Sequence, residues 1–288
     1  MGTMFDIVVY HASPGDAERA VERAMAEIAR LDRVMSHFKA ESDLSRLVRE
    51  GGRGFVRVDP DLFAVLQESR AMSRRSGGAF DVTIGPVLRT WKKAREDGRR
   101  PSAHEISQAR RCVGYGRIEA RPPDRIRLLS DCLEIDLGGI GKGYAVDRAM
   151  HVLTASGIER AIVNAGSSSI AARGAPPDGE GWPVTLGGHA PGGGTIRLEN
   201  ASISTSQQNG EILDPSTGTP AGNDGTVSVV APTATMADAL STTLLVLSMD
   251  AGKELVEEFA GVSAFWIAPD GTLTGVHGEA RLQAAWLH

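Results

Sequence analysis

Cysteine is nearly absent from this chain. The 288 residues hold two, Cys112 and Cys132, with neither CxxC spacing nor a histidine placed beside them, which excludes a thiolate zinc site and a disulfide-rich scaffold. Cys112 follows two arginines and Cys132 enters an apolar run, so both read as packed thiols. Aromatic residues make up 5% of the chain, and they do not interleave with a basic stripe. With a formal net charge of −5, the protein offers no general attraction for nucleic-acid phosphates. No stretch approaches the ~18 consecutive apolar residues of a membrane span. The amino terminus runs straight into an alternating strand pattern rather than a leader. As given, the chain reads as cytoplasmic; a periplasmic protein whose leader had been removed would look the same.

What is present is ordinary for a globular protein, 41% hydrophobic and 23% charged, and the length suffices for a sizeable core. The 34 glycines fall in clusters, as backbone loops shaped for a ligand or for tight turns require. Alternation predicts a strand over Phe5–Tyr10, and the turn at Ser13 to Asp16 then opens a long amphipathic helix through Val34. Further helices are expected over Pro60 to Ser76, stopped by Gly77 and Gly78, and over Leu88 to Asp97, after an extended piece beginning at Phe80. Arg125 to Leu129 and Cys132 to Leu137 read as two strands about a polar turn. A helix from Gly141 to Ser156 precedes strands at Ala161 to Asn164, Ser169 to Arg173, Pro183 to Gly187 and Thr195 to Ser204. Then come a strand at Val227 to Val230, helices at Ala234 to Leu247 and Gly252 to Phe259, and a closing hairpin over Ala264 to Ala268 and Thr272 to Val276. No repeat or long linker interrupts this order. The expectation is a single α+β domain across residues 1–288, with largely antiparallel sheets and flanking helices.

Two segments carry chemistry. In Asp136 to Asp147, DLGGIGKGYAVD, an apolar run passes through a glycine cluster into a helix. Such a turn presents backbone N–H groups at the positive end of the helix dipole, with Lys142 adding a charge, a shape suited to phosphate. It is neither a Walker loop nor a Rossmann GxGxxG, and a plain strand-to-helix turn explains it as well. In the second segment, Thr233 to Thr243, helical spacing puts Asp238, Ser241 and Thr242 on one face, an oxygen set fit for a hard cation. The alternative is a capped helix whose hydroxyls bond back to carbonyls. Ala79 to Thr83 joins a buried aromatic to an acid, and Asp214 to Pro220 is a turn on composition.

Taken in order, these segments resemble the ApbE family of FAD:protein FMN transferases over nearly the whole chain. The resemblance rests on Met1-Gly2-Thr3, Met35 to Phe38 with Ser42 to Ser45, Ala79 to Thr83, DLGGIGKGYAVD, Asn164-Ala165-Gly166, Ser204-Thr205-Ser206, Asp214 to Gly218 and Ala237 to Thr242. DLGGIGKGYAVD is the most specific of them.

The resemblance implies a fold with a flavin cleft and an enzyme that splits FAD and attaches FMN to a Thr or Ser hydroxyl of an acceptor protein, with Mg2+ at the diphosphate. Carried over by position, the metal ligands are the Gly141 carbonyl, Asp238, Ser241 and Thr242. Met1, Phe38, Ala79, Phe80, Asp81, Gly138, Tyr144 and Ile212 contact FAD. Asp238, Lys142 and Glu211 serve catalysis. Two departures stand out. Glu211 occupies a place where the family commonly has histidine, and Gly166-Ser167-Ser168 stands where Gly-Gly-Asp is frequent. They leave open an FAD pyrophosphatase, in which water replaces the acceptor hydroxyl, and a non-catalytic flavin-binding module.

Overall fold

A computed structural model describes residues 2–188 and 192–277 of the chain. In chain order the elements begin with β1 (Phe5–Tyr10), α1 (Pro14–Met35), α2 (Asp43–Glu50), β2 (Val56–Arg57), α3 (Pro60–Arg75), α4 (Gly85–Glu96), α5 (Ala103–Arg110), β3 (Ile118–Arg121) and β4 (Arg125–Leu128). They continue with α6 (Gly141–Ala155), β5 (Arg160–Ala165), β6 (Ser169–Arg173), β7 (Trp182–Thr185), β8 (Thr195–Leu198) and β9 (Ala201–Gln207). The last are β10 (Thr226–Ala231), α7 (Ala234–Val246), α8 (Met249–Glu257), β11 (Ser263–Ile267) and β12 (Leu273–His277). The chain divides into two compact units, the first Met1–Arg30, Ile140–Gln208 and Asn223–His288, the second Leu31–Gly139 and Asn209–Gly222. Both are discontinuous, so no single cut separates them.

The first unit is built on a seven-stranded sheet of order β1-β5-β6-β9-β10-β11-β12, antiparallel at every pairing. Alternation along its strands fills two cores. Ala171 turns to one face with Ala161 and Val163 of β5, packed by Ala20, Ala24 and Ile28 of α1 and by Val146, Ala149 and Leu153 of α6. Its neighbour Ala172 turns to the other, where Ile203, Val230 and Phe265 meet the β7–β8 ribbon through Trp182, Val184, Ile196 and Leu198. The ribbon thus seals a face that helices do not. The four-residue steps of Ala20, Ala24 and Ile28 are one stripe of α1, as an amphipathic helix over a core demands. α7 carries no such stripe; it is buried nearly all round.

The second unit holds a three-stranded antiparallel sheet, β2-β4-β3, with helices α2 to α5 and the carboxy-terminal part of α1. Leu44 and Leu47 of α2 and Leu62, Val65 and Leu66 of α3 are fully buried. α5 is fastened at its start by a complete capping box between Ser102 and Glu105.

The α+β reading and the antiparallel sheets hold, with several local corrections. Cys132 to Leu137 is no strand; among the described residues its ladder contact is an isolated parallel bridge between Glu134 and Ile84. Phe80 to Ile84 is a turn, and the helix expected from Leu88 starts at Gly85. The strand expected over Thr195 to Ser204 breaks at Glu199 and Asn200 into β8 and β9, which belong to different sheets. The cysteines are not free thiols: Cys112 and Cys132 form a disulfide with Cα atoms 5.4 Å apart. The cause is the β3–β4 hairpin between them, whose register pairs Ile118 with Leu128 and brings the two flanking segments side by side.

Candidate active site

In the first unit the two chemical segments converge. α6 starts at Gly141 without a side-chain cap, and Gly143 lies where α6 crosses the start of α7: a Cβ there would collide with the Ala234 carbonyl and the Asp238 Cβ. Glycine is therefore required by packing, and the contact aligns the two helices. Asp147, one turn further along α6, accepts hydrogen bonds from the amides of Ala234 and Thr235, each 2.8 Å, and from the Thr235 hydroxyl at 2.5 Å. It caps α7 from a neighbouring helix, satisfying amides that its own N-cap Thr233, bonded to the Met236 amide, does not reach. Burial pushes the Asp147 carboxyl above its ordinary pKa, opposed by those hydrogen bonds and assisted slightly by the negative charge of Asp238.

This alignment places Asp238, 2% exposed, against the first turn of α6. Its Oδ2 accepts from the Gly143 amide at 2.9 Å. Its Oδ1 lies 3.2 Å from the Ser204 hydroxyl and 3.8 Å from Lys142 Nζ. On the same face of α7, Ser241 donates to the Asp238 carbonyl at 3.1 Å, and Ser206 of β9 lies 2.8 Å from Ser241 Oγ and 3.4 Å from Thr242 Oγ1. Sequence reasoning gave Asp238, Ser241, Thr242 and Lys142, and the structure gathers them. It missed the roles of Asp147, Ser204 and Ser206. The signal for the serines was the two-residue step on a strand, which puts Ser204 and Ser206 on one face.

One carboxylate, neighbouring hydroxyls and a backbone carbonyl are hard oxygen donors, the chemistry Mg2+ prefers when a substrate's phosphates complete its shell. Among the described residues no group of three or more His, Cys, Asp or Glu is suited to a metal, so a cation at Asp238 would rest on this mixed set. The residues present fit that group. The glycine turn is less open than expected: the Gly138 amide donates to Asp136 Oδ1 at 2.8 Å, and the Gly143 and Tyr144 amides donate to Asp238 and to the Ile140 carbonyl.

In the second unit, Phe38 is 72% exposed, its ring 3.8 Å by centroid from that of His37, which lies 3.7 Å from Asp136 Oδ2. A solvated aromatic of this kind is available for stacking on a planar ligand. Phe80 and Asp81 are buried, and their side chains serve the unit's own structure. Asp81 Oδ1 accepts from the Thr83 amide and hydroxyl at 2.8 and 2.7 Å, and Oδ2 from the Tyr115 amide at 2.9 Å. Burial raises its pKa against those bonds. Ala79, Tyr144 of the first unit and Ile212 are half-buried. Glu211 is exposed and accepts from the Asn209 side chain at 3.2 Å. Asp214 to Pro220 is the expected turn, closed by the Asp214 amide on the Thr219 carbonyl and by Gly218 at φ 73°. Met1 lies outside the described residues.

Comparisons with known proteins give the family. The model of the ApbE family matches residues 1–266, and the chain belongs to that family, a family of enzymes. It is 28% identical over 300 residues to the FAD:protein FMN transferase of Treponema pallidum, covering 94% of this chain and 83% of that protein. To the FAD:protein FMN transferase of Haemophilus influenzae it is 29% identical, covering 84% and 76%. The fold superposes on the flavin transferase ApbE from Vibrio cholerae with a TM-score of 0.84 at 25% identity, covering 97% and 94%, and on the ApbE protein from Thermotoga maritima with a TM-score of 0.83 at 28%, covering 96% and 94%.

Proposed function

We propose that this chain is a magnesium-dependent FAD:protein FMN transferase: a Ser or Thr hydroxyl of an acceptor protein attacks the FMN-side phosphorus of FAD, and AMP leaves. The observation that carries the reading is the buried Asp238 carboxylate, held to the first turn of α6 by the Gly143 amide with Lys142 Nζ beside it. When bound, Mg2+ would neutralise charge on the diphosphate and on the departing AMP. Asp238, Thr242, Ser241 and the Gly141 carbonyl would hold it. Lys142 and the amino-terminal end of α6 supply positive potential to the phosphates. Among the positions assigned to FAD, namely Met1, Phe38, Ala79, Phe80, Asp81, Gly138, Tyr144 and Ile212, Phe38 offers the ring most open to stacking. Glu211 would take the proton of the attacking hydroxyl, a task for which an exposed carboxylate is competent.

The test is to incubate the protein with FAD, Mg2+ and a flavinylation-domain acceptor, then look for acceptor-bound flavin fluorescence after denaturing electrophoresis, an FMN-sized mass increase and AMP. Labelling that disappears with EDTA is expected. Free FMN and AMP without labelled acceptor would replace the transferase by a pyrophosphatase; FAD bound without turnover would reduce it to a binding module. The Cys112–Cys132 disulfide supports an oxidising compartment, in keeping with a periplasmic mature form rather than a cytoplasmic one.

A further inference from the structure

β9 contributes hydroxyls to the Asp238 site that the ligand set does not account for. Ser204 and Ser206 share the face of β9 that meets α7, whereas Thr205, between them, points to the opposite face and bonds Ser228 at 2.8 Å. Each hydroxyl has one proton and two lone pairs, so the contacts around Ser206 can be ordered. Ser241 donates its proton to the Asp238 carbonyl at 3.1 Å. When its proton is on that carbonyl, it accepts from Ser206, which lies 2.8 Å away. Ser206 has then spent its own proton and meets Thr242 Oγ1, 3.4 Å away, as an acceptor. In that arrangement the donation runs from Thr242 to Ser206, to Ser241, to the backbone of α7.

Resting on the metal-dependent reading above, we infer that Ser206 is a positioning residue: by accepting the Thr242 proton it turns the lone pairs of Thr242 toward the cation, and by donating to Ser241 it fixes the orientation of that hydroxyl, leaving each of the two with a lone pair for the cation. Ser241 is fully buried, while Thr242 is half-exposed. Ser204 performs the matching service for Asp238. Ser169 Oγ lies 3.1 Å from Ser204 Oγ, with either able to donate, and the Ser204 proton also has the Ser168 carbonyl at 2.8 Å and Asp238 Oδ1 at 3.2 Å as acceptors. The nearer carbonyl can take it whenever Oδ1 is given to a cation, while Oδ2 stays with the Gly143 amide.

The experiment measures Mn2+ binding to the full chain by electron paramagnetic resonance of the free ion, with and without FAD, alongside the Mg2+ dependence of turnover. Ser206→Ala is expected to weaken Mn2+ binding and raise the half-saturating Mg2+ concentration by roughly ten-fold, the scale of one lost hydrogen bond, with kcat at saturating Mg2+ within about three-fold of wild type. Ser206→Thr, which keeps the hydroxyl, restores both. Ser206→Cys, of nearly the same size but a weak donor and acceptor, behaves like alanine and guards against a packing artefact. Thr205→Val, on the opposite face, leaves Mn2+ binding unchanged. Unaltered Mn2+ binding in Ser206→Ala, where Asp238→Asn abolishes it, overturns the role of Ser206 and leaves the metal-dependent reading intact. Wild-type protein that fails to bind Mn2+, with or without FAD, overturns both.

Discussion

Each unit buries an aspartate, and the two differ in how completely they are satisfied. Asp81, 7% exposed, gives one oxygen to the amide and hydroxyl of Thr83 and the other to the Tyr115 amide. Thr83 Oγ1 in turn accepts from the Gly114 amide at 2.7 Å, so the acid ties the Phe80–Thr83 turn to the segment leading into β3. Asp238 is more deeply buried, yet only its Oδ2 has a firm amide partner; Oδ1 meets a longer hydroxyl contact and a lysine. Burial of an acid is thus no indication of catalysis. What separates a structural carboxylate from a reactive one is whether its acceptor capacity is used up by the fold.

The sharpest way to break this contrast is Asp238→Asn. The amide oxygen still accepts from Gly143, so the melting temperature should move by only a few degrees, while the charge proposed to hold the cation is lost. We expect kcat/KM to fall by about a thousand-fold, the upper scale for removing one electrostatic stabiliser, in a steady-state assay of acceptor labelling. A fall under ten-fold would place Asp238 with Asp81 among structural acids. Next in size is the disulfide of the second unit. Closing a 20-residue separation, it should contribute about 3 kcal/mol. The Cys112→Ser, Cys132→Ser double variant should lose that much in urea unfolding and retain its turnover once folded. An unchanged denaturation midpoint would remove the bridge from the stabilising elements.

The same contrast governs what could be read from sequence. β1 was legible to the residue because Phe5, Ile7 and Val9 alternate with exposed neighbours. Asp238, Ser241 and Thr242 were legible because helical spacing alone puts them together. Cys132 to Leu137 misled for the reason β1 did not: Leu133, Ile135 and Leu137 alternate and are all buried, but the partner chain is a single bridge rather than a strand. Periodicity reports burial, not pairing. The eight-residue helices α2 and α5 escaped a search for apolar stripes, although Ser42 and the Ser102–Glu105 capping box announced them. The two-residue step puts Ser204 and Ser206 on one face, but that this face meets α7, like the disulfide, depends on contacts between distant segments.

Asp81→Asn sharpens the structural half of the comparison. Its amide cannot accept everywhere the carboxylate does, and a buried amide left facing another donor costs about 2 kcal/mol. The penalty should depend on pH with a definite sign. Because burial raises the folded pKa of Asp81 above 3.8, the folded state binds the proton more readily than the unfolded one. The stabilisation from that proton is complete below 3.8 and is lost as pH rises through the folded value. The stability difference between wild type and Asp81→Asn should therefore shrink as pH is raised from below 3.8 to neutrality. A difference that grows over that range would show that hydrogen bonding, not desolvation, dominates at Asp81.

The smallest effect expected is at Glu211, which belongs to neither class of acid. It is exposed and, among the described residues, fastened through Asn209, whose side chain donates to its carboxylate and accepts from its amide. If it accepts the proton of the attacking hydroxyl, its contribution is limited by the reaction itself. Transfer of a phosphoryl group through a loose transition state demands little proton removal before the leaving bond breaks. Glu211→Gln should accordingly lower kcat by about ten-fold, below the usual range for a general base, with KM for FAD and Mn2+ binding unchanged. Glu211→His, which restores the side chain common at this place in the family, should recover or exceed wild-type kcat. A Glu211→Gln variant as fast as wild type would leave water to take the proton. The chemistry would then rest on the partly satisfied carboxylate of the first unit and its supporting hydroxyls.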